Sequence, residues 1–452
     1  MQLRLSEIAA FCKGKLCGEG SKTVTAITLD SRQVQPGSMY VAVKGARVDG
    51  HKFVPSAFES GAVCVLVEEV PECQGDYILV DSTLQAIKDI AEGYRQTLQA
   101  KVVGITGSVG KTSTKEMIAS VLEQKFQVTK TLGNFNNEIG VPLTVFRVKE
   151  EDEIAILEMG ISDFGEMSRL TKIARPDICV ITNIGQCHLE NLGDRDGVLK
   201  AKTEIFQGMK PGGVAVLNGD DDKLLTVKEV QGSLPQFFGH ENNGTNQVFV
   251  KQVEDLGLEG TRLTMGFSDG GELTAHIPVA GEHMVSNAMA AALVGKNLGL
   301  TLEEIKAGIE SYQTIAGRNH TIKTEKYTIL DDCYNANPMS MKASIDIINK
   351  SKGRKVAVLG DMFELGENEK ELHRQVGEYA GNSALDVLIC AGERCNYMAE
   401  AAKTCGKKEV YHFADRDEII ANIDRLLQPG DTIVIKASHS MGFEKIVEYL
   451  TK

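Results

Sequence analysis

The sequence predicts an α/β protein whose main sheets are parallel and doubly wound. Apolar runs of strand length alternate with segments of helical length, the pattern that parallel sheets produce. In the middle of the chain these runs are 101–105, 154–158, 177–182 and 213–217. A second alternating series lies nearer the carboxyl end, at 327–331, 355–359, 386–390, 409–413 and 432–436. We therefore expect two separate α/β domains.

A smaller domain is expected before them. At 452 residues the chain is longer than one hydrophobic core usually supports, so two to four domains are predicted. Strands are predicted at 39–43, 62–67 and 77–80, with a helix at 84–98. Between the two larger series, glycines punctuate a hairpin-like stretch at 247–278, and a helix follows at 283–298. The predicted domains are 1–98, 99–316 and 317–452.

Charge and composition exclude several classes of protein. The net charge of -13 argues against a nucleic-acid partner, although a few local donors can still form a nucleotide pocket. We find no apolar run of 18 residues and no signal-peptide core, which predicts a cytoplasmic protein without membrane insertion. The ten cysteines are scattered without a C-x-x-C pair. Cys64, Cys179 and Cys390 lie in apolar strands and are predicted to be core residues.

A glycine-rich segment directly after the strand 101–105 carries the clearest chemical signal. It reads T-G-S-V-G-K-T-S and leads into a helix predicted to begin near Lys111. Backbone N–H groups and the helix N-terminus would hold phosphates there, Lys111 would reach the β/γ-phosphates, and Thr112 would hold Mg²⁺. The usual pattern has a glycine at the position of Ile105, so Gly107 begins a shortened form of the motif. The predicted nucleotide contacts in this loop are Gly107, Ser108, Val109, Gly110, Lys111, Thr112 and Ser113.

Two further strand ends offer metal ligands. Glu158 ends the apolar strand 154–158, at the edge where a nucleotide-bound Mg²⁺ needs a carboxylate. Thr182, Asn183 and His188 follow the next strand, and their side chains can reach the same crevice. His188 is therefore a candidate metal ligand.

Other polar residues remain ambiguous on local pattern alone. Taken by itself, Lys202 is a surface lysine. Asn287 suits either a packing site or nucleotide recognition, and Arg318 suits either a solvated linker or a phosphate clamp. The segment around Asp332 and Asn335 is explained by turn and cap formation, yet its two acids and two amides are dense for a plain turn.

Taken together, these motifs resemble the Mur ligase family over essentially the whole chain. T-G-x-x-G-K-T, E-M-G, T-N-I-G-x-x-H-L-E and A-K-x-E-I occur in the order that the family shows. D-x-Y-N-A-N-P at 332–338 and G-D-M-x-E-L-G at 360–366 resemble the member that adds D-alanyl-D-alanine. The sister ligase that adds the third residue has D-Y-A-H-T-P instead. Asp30-Ser31-Arg32 resembles the family's UDP-sugar domain.

The resemblance implies a three-domain enzyme with a P-loop central domain, a Rossmann-like carboxy-terminal domain and a small UDP-sugar-binding domain. ATP would phosphorylate the terminal carboxylate of UDP-MurNAc-tripeptide, whose third residue is lysine or diaminopimelate. The amine of D-Ala-D-Ala would then attack the acyl phosphate. The resemblance further implies two Mg²⁺ sites, and we expect the protein to be a monomer.

Residue roles also follow from the resemblance. Thr112 and Glu158 would bind one Mg²⁺, and His188 with a carbamylated Lys202 would bind the second. Lys111, Lys202 and His188 would be the catalytic residues. The residues implied to engage ATP outside the loop are Asn287, Arg318, Asp332 and Asn335. The residues implied to contact substrates are Ser31, Arg32, Asn134, Asn136, Asn137, Thr182, Asn183, Lys436, Ser438 and His439.

One position departs from the family pattern. Many relatives read K-G-S-R where this chain has Lys436-Ala437-Ser438-His439. Because a histidine is shorter and mostly neutral at pH 7, an arginine contact to the dipeptide carboxylate is in question. Two alternatives stand beside the prediction. A folylpolyglutamate synthetase-like ligase should lack the Asp30-Ser31-Arg32 domain, and a nucleotide-binding switch would bind ATP without forming an amide.

Overall fold

The computed structural model describes residues 1–45, 48–407 and 409–452. Within them the strands form sheets of two, five, nine and six strands. Each of the three larger sheets is built from one continuous stretch of the chain, which we call the amino-terminal, central and carboxy-terminal parts. Among the described residues, no helix combines the length and the apolar character needed to cross a bilayer.

The amino-terminal part is a five-stranded sheet with flanking helices. Its elements are β1 (Leu3–Arg4), α1 (Leu5–Cys12), β2 (Lys15–Cys17), β3 (Thr23–Val24), β4 (Ala26–Thr28), β5 (Ser38–Val41), α2 (Val54–Glu59), β6 (Cys64–Val67), β7 (Tyr77–Leu79) and α3 (Thr83–Thr97). The sheet order is β2-β7-β6-β5-β4, and all pairs are parallel except β2 with β7. The predicted strands β5, β6 and β7 and the helix α3 are confirmed. The strands β1, β2, β3 and β4, of two or three residues each, were not predicted.

The central part contains the nine-stranded sheet. Its elements are β8 (Lys101–Thr106), α4 (Lys111–Leu122), β9 (Val128–Lys130), α5 (Gly140–Arg147), β10 (Ile154–Glu158), α6 (Glu166–Ala174), β11 (Ile178–Ile181), α7 (Leu189–Leu192), α8 (Arg195–Thr203), β12 (Val214–Asn218), β13 (Gln236–Gly239), β14 (Asn246–Asp255), β15 (Thr261–Phe267), β16 (Glu272–Ile277), α9 (His283–Asn297) and α10 (Leu302–Glu310).

The strand order places β8, which leads into the glycine-rich loop, between β11 and β10. The order is β16-β15-β14-β13-β12-β11-β8-β10-β9, and the strands from β9 to β14 are parallel. In this register Glu158 lies opposite Ile105, and Ile181 lies opposite Thr106. The segments after β8, β10 and β11 therefore share one edge, the position where open α/β sheets bind ligands.

The hairpin-like stretch is confirmed as the antiparallel strands β14, β15 and β16. Two strands of the central sheet, β9 and β13, were not predicted. β9 reads Val-Thr-Lys and β13 reads Gln-Phe-Phe-Gly, so neither forms a longer apolar run than an ordinary loop does.

The carboxy-terminal part is a six-stranded sheet with flanking helices. Its elements are β17 (His320–Lys323), β18 (Thr328–Asp331), α11 (Pro338–Asn349), β19 (Lys355–Gly360), α12 (Glu369–Asn382), β20 (Val387–Ala391), α13 (Cys395–Thr404), β21 (Glu409–Phe413), α14 (Arg416–Leu426), β22 (Thr432–Lys436) and α15 (Glu444–Leu450). The order is β17-β18-β22-β19-β20-β21, with β17 antiparallel to β18. All five predicted strands are confirmed, and β17 is the one that the sequence pattern missed.

A shared core joins the amino-terminal part to the central sheet. Ile90 of α3, Val145 of α5 and Leu170 of α6 are fully buried in one apolar cluster. Burial of each such side chain contributes about 1.5–3 kcal/mol. The Tyr94 hydroxyl adds a hydrogen bond of 2.6 Å to the Val148 carbonyl. The first part is thereby packed against the central part rather than tethered to it.

The three cysteines predicted to be core residues, Cys64, Cys179 and Cys390, are fully buried. Burial in apolar surroundings raises the pKa of the Cys64 thiol to about 12. Burial raises the pKa of the Cys179 thiol as well, so the Cys64 and Cys179 thiols stay protonated and unreactive near neutral pH.

Candidate active site

A cavity of about 900 Å³ lies where the central part faces the carboxy-terminal part. Most of the predicted site residues line it together. They are Ser108, Val109, Gly110, Lys111, Thr112, Ser113, Asn134, Asn136, Asn137, Glu158, Thr182, Asn183, His188, Asn287, Arg318, Asp332, Asn335, Lys436, Ser438 and His439. A cleft between two domains with convergent polar groups is the usual form of an active site.

Four predicted residues do not line this cavity. Gly107 immediately precedes Ser108, the first loop residue that lines the cavity. Lys202 is buried, with 1% of its surface exposed. Ser31 and Arg32 belong to a short 3₁₀ turn of the amino-terminal part, which Asp30 caps by accepting from the Arg32 N–H at 3.0 Å. The Arg32 side chain is 86% exposed. The structure thus separates the residues predicted for the UDP group from those predicted for ATP.

The glycine-rich loop has the geometry that its sequence predicts. Gly107 has φ +153°, and a Cβ there would lie 1.9 Å from Thr182 Oγ1. Gly110 has φ +81° and immediately precedes α4, which begins at Lys111 as expected. Lys111 Nζ donates to the Gly107 carbonyl at 2.8 Å, so the lysine curls over its own loop. Lys111, Thr112 and Ser113 of the first turn of α4 line the cavity, so this helix N-terminus lies where a phosphate site requires it.

Thr182 and Asn183 brace this loop from the neighbouring strand. Thr182 Oγ1 donates to the Val109 carbonyl at 2.7 Å. Asn183 accepts from the Val109 N–H and donates to its carbonyl, both at 2.9 Å. Both side chains were predicted to contact substrate, but in the structure their polar atoms are used to fix the shape of the loop.

Glu158 occupies the position predicted for a metal ligand. Its side chain is 2% exposed, and Oε1 accepts from Thr112 Oγ1 at 3.2 Å and from Asn136 Nδ2 at 2.9 Å. Glu158 Oε2 has no hydrogen-bond partner among the described residues. A buried carboxylate with an unpartnered oxygen beside a threonine hydroxyl offers the hard oxygen ligands that Mg²⁺ prefers. These residues fit a magnesium ion.

The other predicted asparagines differ in what they contact. Asn287 is 6% exposed and accepts from Thr114 Oγ1 at 2.8 Å, which ties α9 to the phosphate-loop helix. Asn137 Oδ1 accepts from the Gly140 N–H at 2.9 Å and stabilises the start of α5. Asn134 is exposed on the same loop. Asn287 and Asn137 therefore have structural contacts, whereas Asn134 is free to meet a ligand.

Arg318 reaches the phosphate loop from the junction between the two parts, as predicted. Its Nη2 lies 3.4 Å from Thr112 Oγ1, and its guanidinium carbon lies 4.0 Å from the centre of the Tyr334 ring. The Tyr334 ring also stacks on His439, and the two ring centroids are 5.2 Å apart. Cation–π contact holds an arginine in one orientation. His439 is thus placed against Tyr334, a contact that the sequence did not indicate.

Asp332 and Lys436 form a buried ion pair of 2.6 Å. Burial works to raise the pKa of Asp332, but the Lys436 ammonium and the Ser344 hydroxyl hold it below its usual value. Lys436 Nζ also donates to the carbonyls of Asp332 and Asn335, at 3.2 Å and 2.9 Å. The predicted substrate contact from Lys436 therefore competes with three internal acceptors, and the lysine holds the segment 332–335 in place.

The two residues predicted for a second metal lie in different settings. His188 is paired through Nδ1 with Glu364 Oε2 of the carboxy-terminal part at 3.2 Å. Lys202 is not the surface lysine that its local sequence predicts, because it is almost completely buried. Burial, and then the nearby Lys111 ammonium, lower the pKa of Lys202 to about 8. Ser438 accepts from the Phe363 N–H at 3.0 Å and so supports the loop that carries Glu364.

Three family models match consecutive stretches of the chain. The Mur ligase family catalytic domain matches residues 23–105, the Mur ligase middle domain matches 105–295, and the Mur ligase glutamate ligase domain matches 317–439. A curated relative from Bacillus subtilis (strain 168), named UDP-N-acetylmuramoyl-tripeptide–D-alanyl-D-alanine ligase, is 38% identical over 99% of this chain and 98% of its own. This chain belongs to the Mur ligase family.

Solved structures of that family agree with the observed fold. A MurF crystal structure from Acinetobacter baumannii has a TM-score of 0.91 at 30% identity and covers 100% of this chain and 99% of its own. MurF from Thermotoga maritima, solved in complex with ADP, has a TM-score of 0.83 at 30% identity over 94% of this chain and 97% of its own. The three-domain Mur ligase fold predicted from the sequence is confirmed. The match at 23–105 also favours a Mur ligase over a folylpolyglutamate synthetase-like enzyme.

Proposed function

We propose that this protein is the ATP-dependent ligase that joins D-alanyl-D-alanine to UDP-N-acetylmuramoyl-tripeptide, releasing ADP and phosphate. This is the last amide-forming step toward the peptidoglycan precursor UDP-MurNAc-pentapeptide. The observation that carries the proposal is the cavity in which a phosphate loop faces Arg318, Asp332 and Asn335. The relative and the two solved structures described above carry the name of this ligase or of MurF.

In the first step, an oxygen of the tripeptide carboxylate attacks the γ-phosphorus of ATP. The bond from phosphorus to the ADP oxygen breaks, and an acyl phosphate forms. Lys111 and the first turn of α4 line the cavity, and Arg318 Nη2 lies 3.4 Å from Thr112 Oγ1 of that turn. Positive groups fixed in a site from which water is excluded stabilise the charge that develops during phosphoryl transfer.

In the second step, the amine of D-Ala-D-Ala attacks the acyl carbon. The tetrahedral intermediate expels phosphate and loses a proton from nitrogen, which leaves the new amide. The cleft must hold both substrates in line before water reaches the acyl phosphate. Asn134 and His439 are exposed at the cavity wall and are placed to meet these substrates.

Thr112 and Glu158 would hold Mg²⁺, which when bound neutralises phosphate charge and orients the terminal phosphate. Glu158→Gln keeps the size of the side chain but removes its charge. We expect the Mg²⁺ concentration for half-maximal phosphate release to rise at least about tenfold, since the charge is lost from a buried ligand. An unchanged Mg²⁺ titration would remove Glu158 from the metal site. His188 and carbamylated Lys202 are proposed for a second Mg²⁺.

The proposal also covers the domain limits, the oligomeric state and the cellular location. The sheets support domain limits of 1–98, 99–316 and 317–452, with Ser31 and Arg32 on the UDP side. We further propose a monomer that works in the cytoplasm, where ATP and UDP-linked precursors are available. Size-exclusion chromatography with light scattering tests the oligomeric state, and a dimer mass would contradict this part.

The function is tested with the purified protein, ATP, Mg²⁺ and UDP-MurNAc-tripeptide, with and without D-Ala-D-Ala. We expect phosphate release to depend on both UDP-MurNAc-tripeptide and D-Ala-D-Ala. Mass spectrometry should detect the pentapeptide product. Parallel reactions carry either lysine or diaminopimelate as the third residue. Nucleotide binding without any amide product would favour the nucleotide-switch alternative instead.

A further inference from the structure

Lys115 is a buried cation beside the phosphate site to which the proposed reaction assigns no role. It lies on α4 four residues after Lys111, and 1% of its surface is exposed. It does not line the cavity, so it cannot contact phosphate as Lys111 does. A fully buried lysine is costly unless its charge is paired, so its partners indicate its purpose.

Three acceptors surround the ammonium group. Lys115 Nζ donates to the Thr131 carbonyl at 2.7 Å and lies 3.0 Å from Glu116 Oε1. The third is Glu158 Oε2, at 3.8 Å. This is the carboxylate oxygen that has no hydrogen-bond partner among the described residues. Lys115 is thus paired by charge with the side of Glu158 that faces away from Thr112.

Thr131 joins the same two residues through the backbone. It is fully buried, and its Oγ1 accepts from the Glu158 N–H at 3.0 Å while its carbonyl accepts from Lys115. The strand end that carries Glu158 and the helix that carries Thr112 are therefore connected through one threonine. Any shift of Lys115 would move the Glu158 carboxylate relative to the phosphate loop.

We propose that Lys115 is a positioning residue whose ammonium, 3.8 Å from Glu158 Oε2, fixes the orientation in which the Glu158 carboxylate would meet the metal beside Thr112. This inference rests on the proposed function for the identity of the metal. Because the Lys115 ammonium is enclosed by protein and does not line the cavity, bound nucleotide would not contact it. We therefore expect its electrostatic attraction to the Glu158 carboxylate to be the same with and without nucleotide. Lys111 and Arg318 differ, since both line the cavity.

The test measures metal binding directly. Mn²⁺ replaces Mg²⁺, and electron paramagnetic resonance counts the free ion in the presence of ADP, so no turnover is needed. For Lys115→Met we expect the Kd for Mn²⁺ to rise at least about tenfold while ADP affinity at saturating Mn²⁺ changes less than about threefold. Lys115→Arg keeps the positive charge, so its Kd for Mn²⁺ should stay within about threefold of the parent. An unchanged Kd for Mn²⁺ in folded Lys115→Met would overturn the proposal.

Lys130→Met is the matched control. Lys130 pairs with Glu116 at 2.8 Å in the same network, but its pairs are with Glu116 and Glu123 rather than with Glu158. We expect its Kd for Mn²⁺ to stay within about twofold of the parent. Equal losses in Lys130→Met and Lys115→Met would show a general effect of the network and contradict a specific role.

A second pair of variants covers the case in which Lys115→Met does not fold because Glu116 loses a partner. Glu116→Gln removes that carboxylate, so Lys115→Met/Glu116→Gln is compared with Glu116→Gln alone, with circular dichroism as the check on folding. The proposal predicts weaker Mn²⁺ binding in the double variant, and equal binding overturns it. Failure of the ligase reaction itself would leave these metal affinities measurable, so the two proposals can fail separately.

Discussion

At the scale of single residues, the cleft is governed by buried charges rather than by exposed ones. Lys111 illustrates this, because burial lowers its pKa while Glu158 opposes that shift. Lys111 Nζ donates to a carbonyl of its own loop at 2.8 Å, and the side chain lines the cavity. An arriving phosphate would meet this ammonium at the cavity wall.

We expect Lys111→Ala to lower phosphate release by at least about 100-fold, because one cation is lost where transition-state charge develops. The fold should be retained, with a Tm within about 2 °C of the parent by circular dichroism. Lys149→Ala serves as control, since the Lys149 side chain is 62% exposed and far from full burial. Near-normal phosphate release in folded Lys111→Ala would contradict the assignment of the loop.

Lys202 allows a prediction about pH. Its pKa of about 8 makes about one tenth of the amine neutral at pH 7 and about half at pH 8. Only the neutral amine reacts with CO₂, so at fixed dissolved CO₂ carbamylation should increase from pH 7 to pH 8.5. The measurement is the ¹³C carbamate signal of protein equilibrated with ¹³CO₂.

The variant Lys202→Ala should lack that signal and be nearly inactive, with partial rescue by acetate. Lys200→Ala is the control, because Lys200 is exposed on the same helix, α8. Wild-type activity of Lys202→Ala in CO₂-depleted buffer would show that the lysine has only a packing role.

At the scale of elements, the turn from β8 into α4 depends on space as much as on glycine's φ. A side chain at Gly107 would collide with Thr182, whose hydroxyl braces the loop. We expect Gly107→Ala to lower the free energy of unfolding by about 1–3 kcal/mol, as overpacking does, and to weaken ADP binding at least about tenfold. Urea denaturation and calorimetric titration measure the two effects.

Gly212→Ala is the matched control for this turn. Gly212 also has positive φ, +77°, but no atom lies within 4 Å of its would-be Cβ. It should cost stability through backbone conformation alone and leave ADP affinity unchanged. Equal ADP affinity in both variants would contradict the steric account of the loop.

Elements also show what the sequence could predict. The buried strands and the phosphate loop were predictable because long apolar runs and a glycine-lysine-threonine turn are local patterns. β9 and β13 were missed because each is short and is a strand only through its neighbours in the sheet. Boundaries of the other predicted strands differ from the observed ones by at most two residues.

Only part of the site could likewise be predicted from local sequence patterns. Glu158 followed from its position at a strand end, but the stack of Arg318, Tyr334 and His439 depends on segments that only the tertiary fold brings together. Lys115 was also missed. Its spacing of four residues from Lys111 puts both on one helix face, and this is the one signal in the sequence that could have indicated it.

At the scale of the whole molecule, the cavity is lined by two parts of the chain and is incomplete with either alone. Arg318 Nε and Asn319 Oδ1 are buried without hydrogen-bond partners among the described residues, and both residues line the cavity. Unpaired buried groups of this kind each cost about 1–3 kcal/mol. Their concentration in one cleft fits a site that is completed by a charged ligand.

The most direct test of the central claim follows an oxygen atom. UDP-MurNAc-tripeptide labelled with ¹⁸O in its terminal carboxylate is incubated with ATP, Mg²⁺ and the protein, with and without D-Ala-D-Ala, and the released phosphate is analysed by mass spectrometry. Ligation through an acyl phosphate predicts one ¹⁸O in each phosphate, because the carboxylate oxygen stays on phosphorus when the amine attacks. Release should require D-Ala-D-Ala. Unlabelled phosphate would mean that water attacks phosphorus, and equal release without the dipeptide would mean that water takes the place of the amine. Either result would contradict the account.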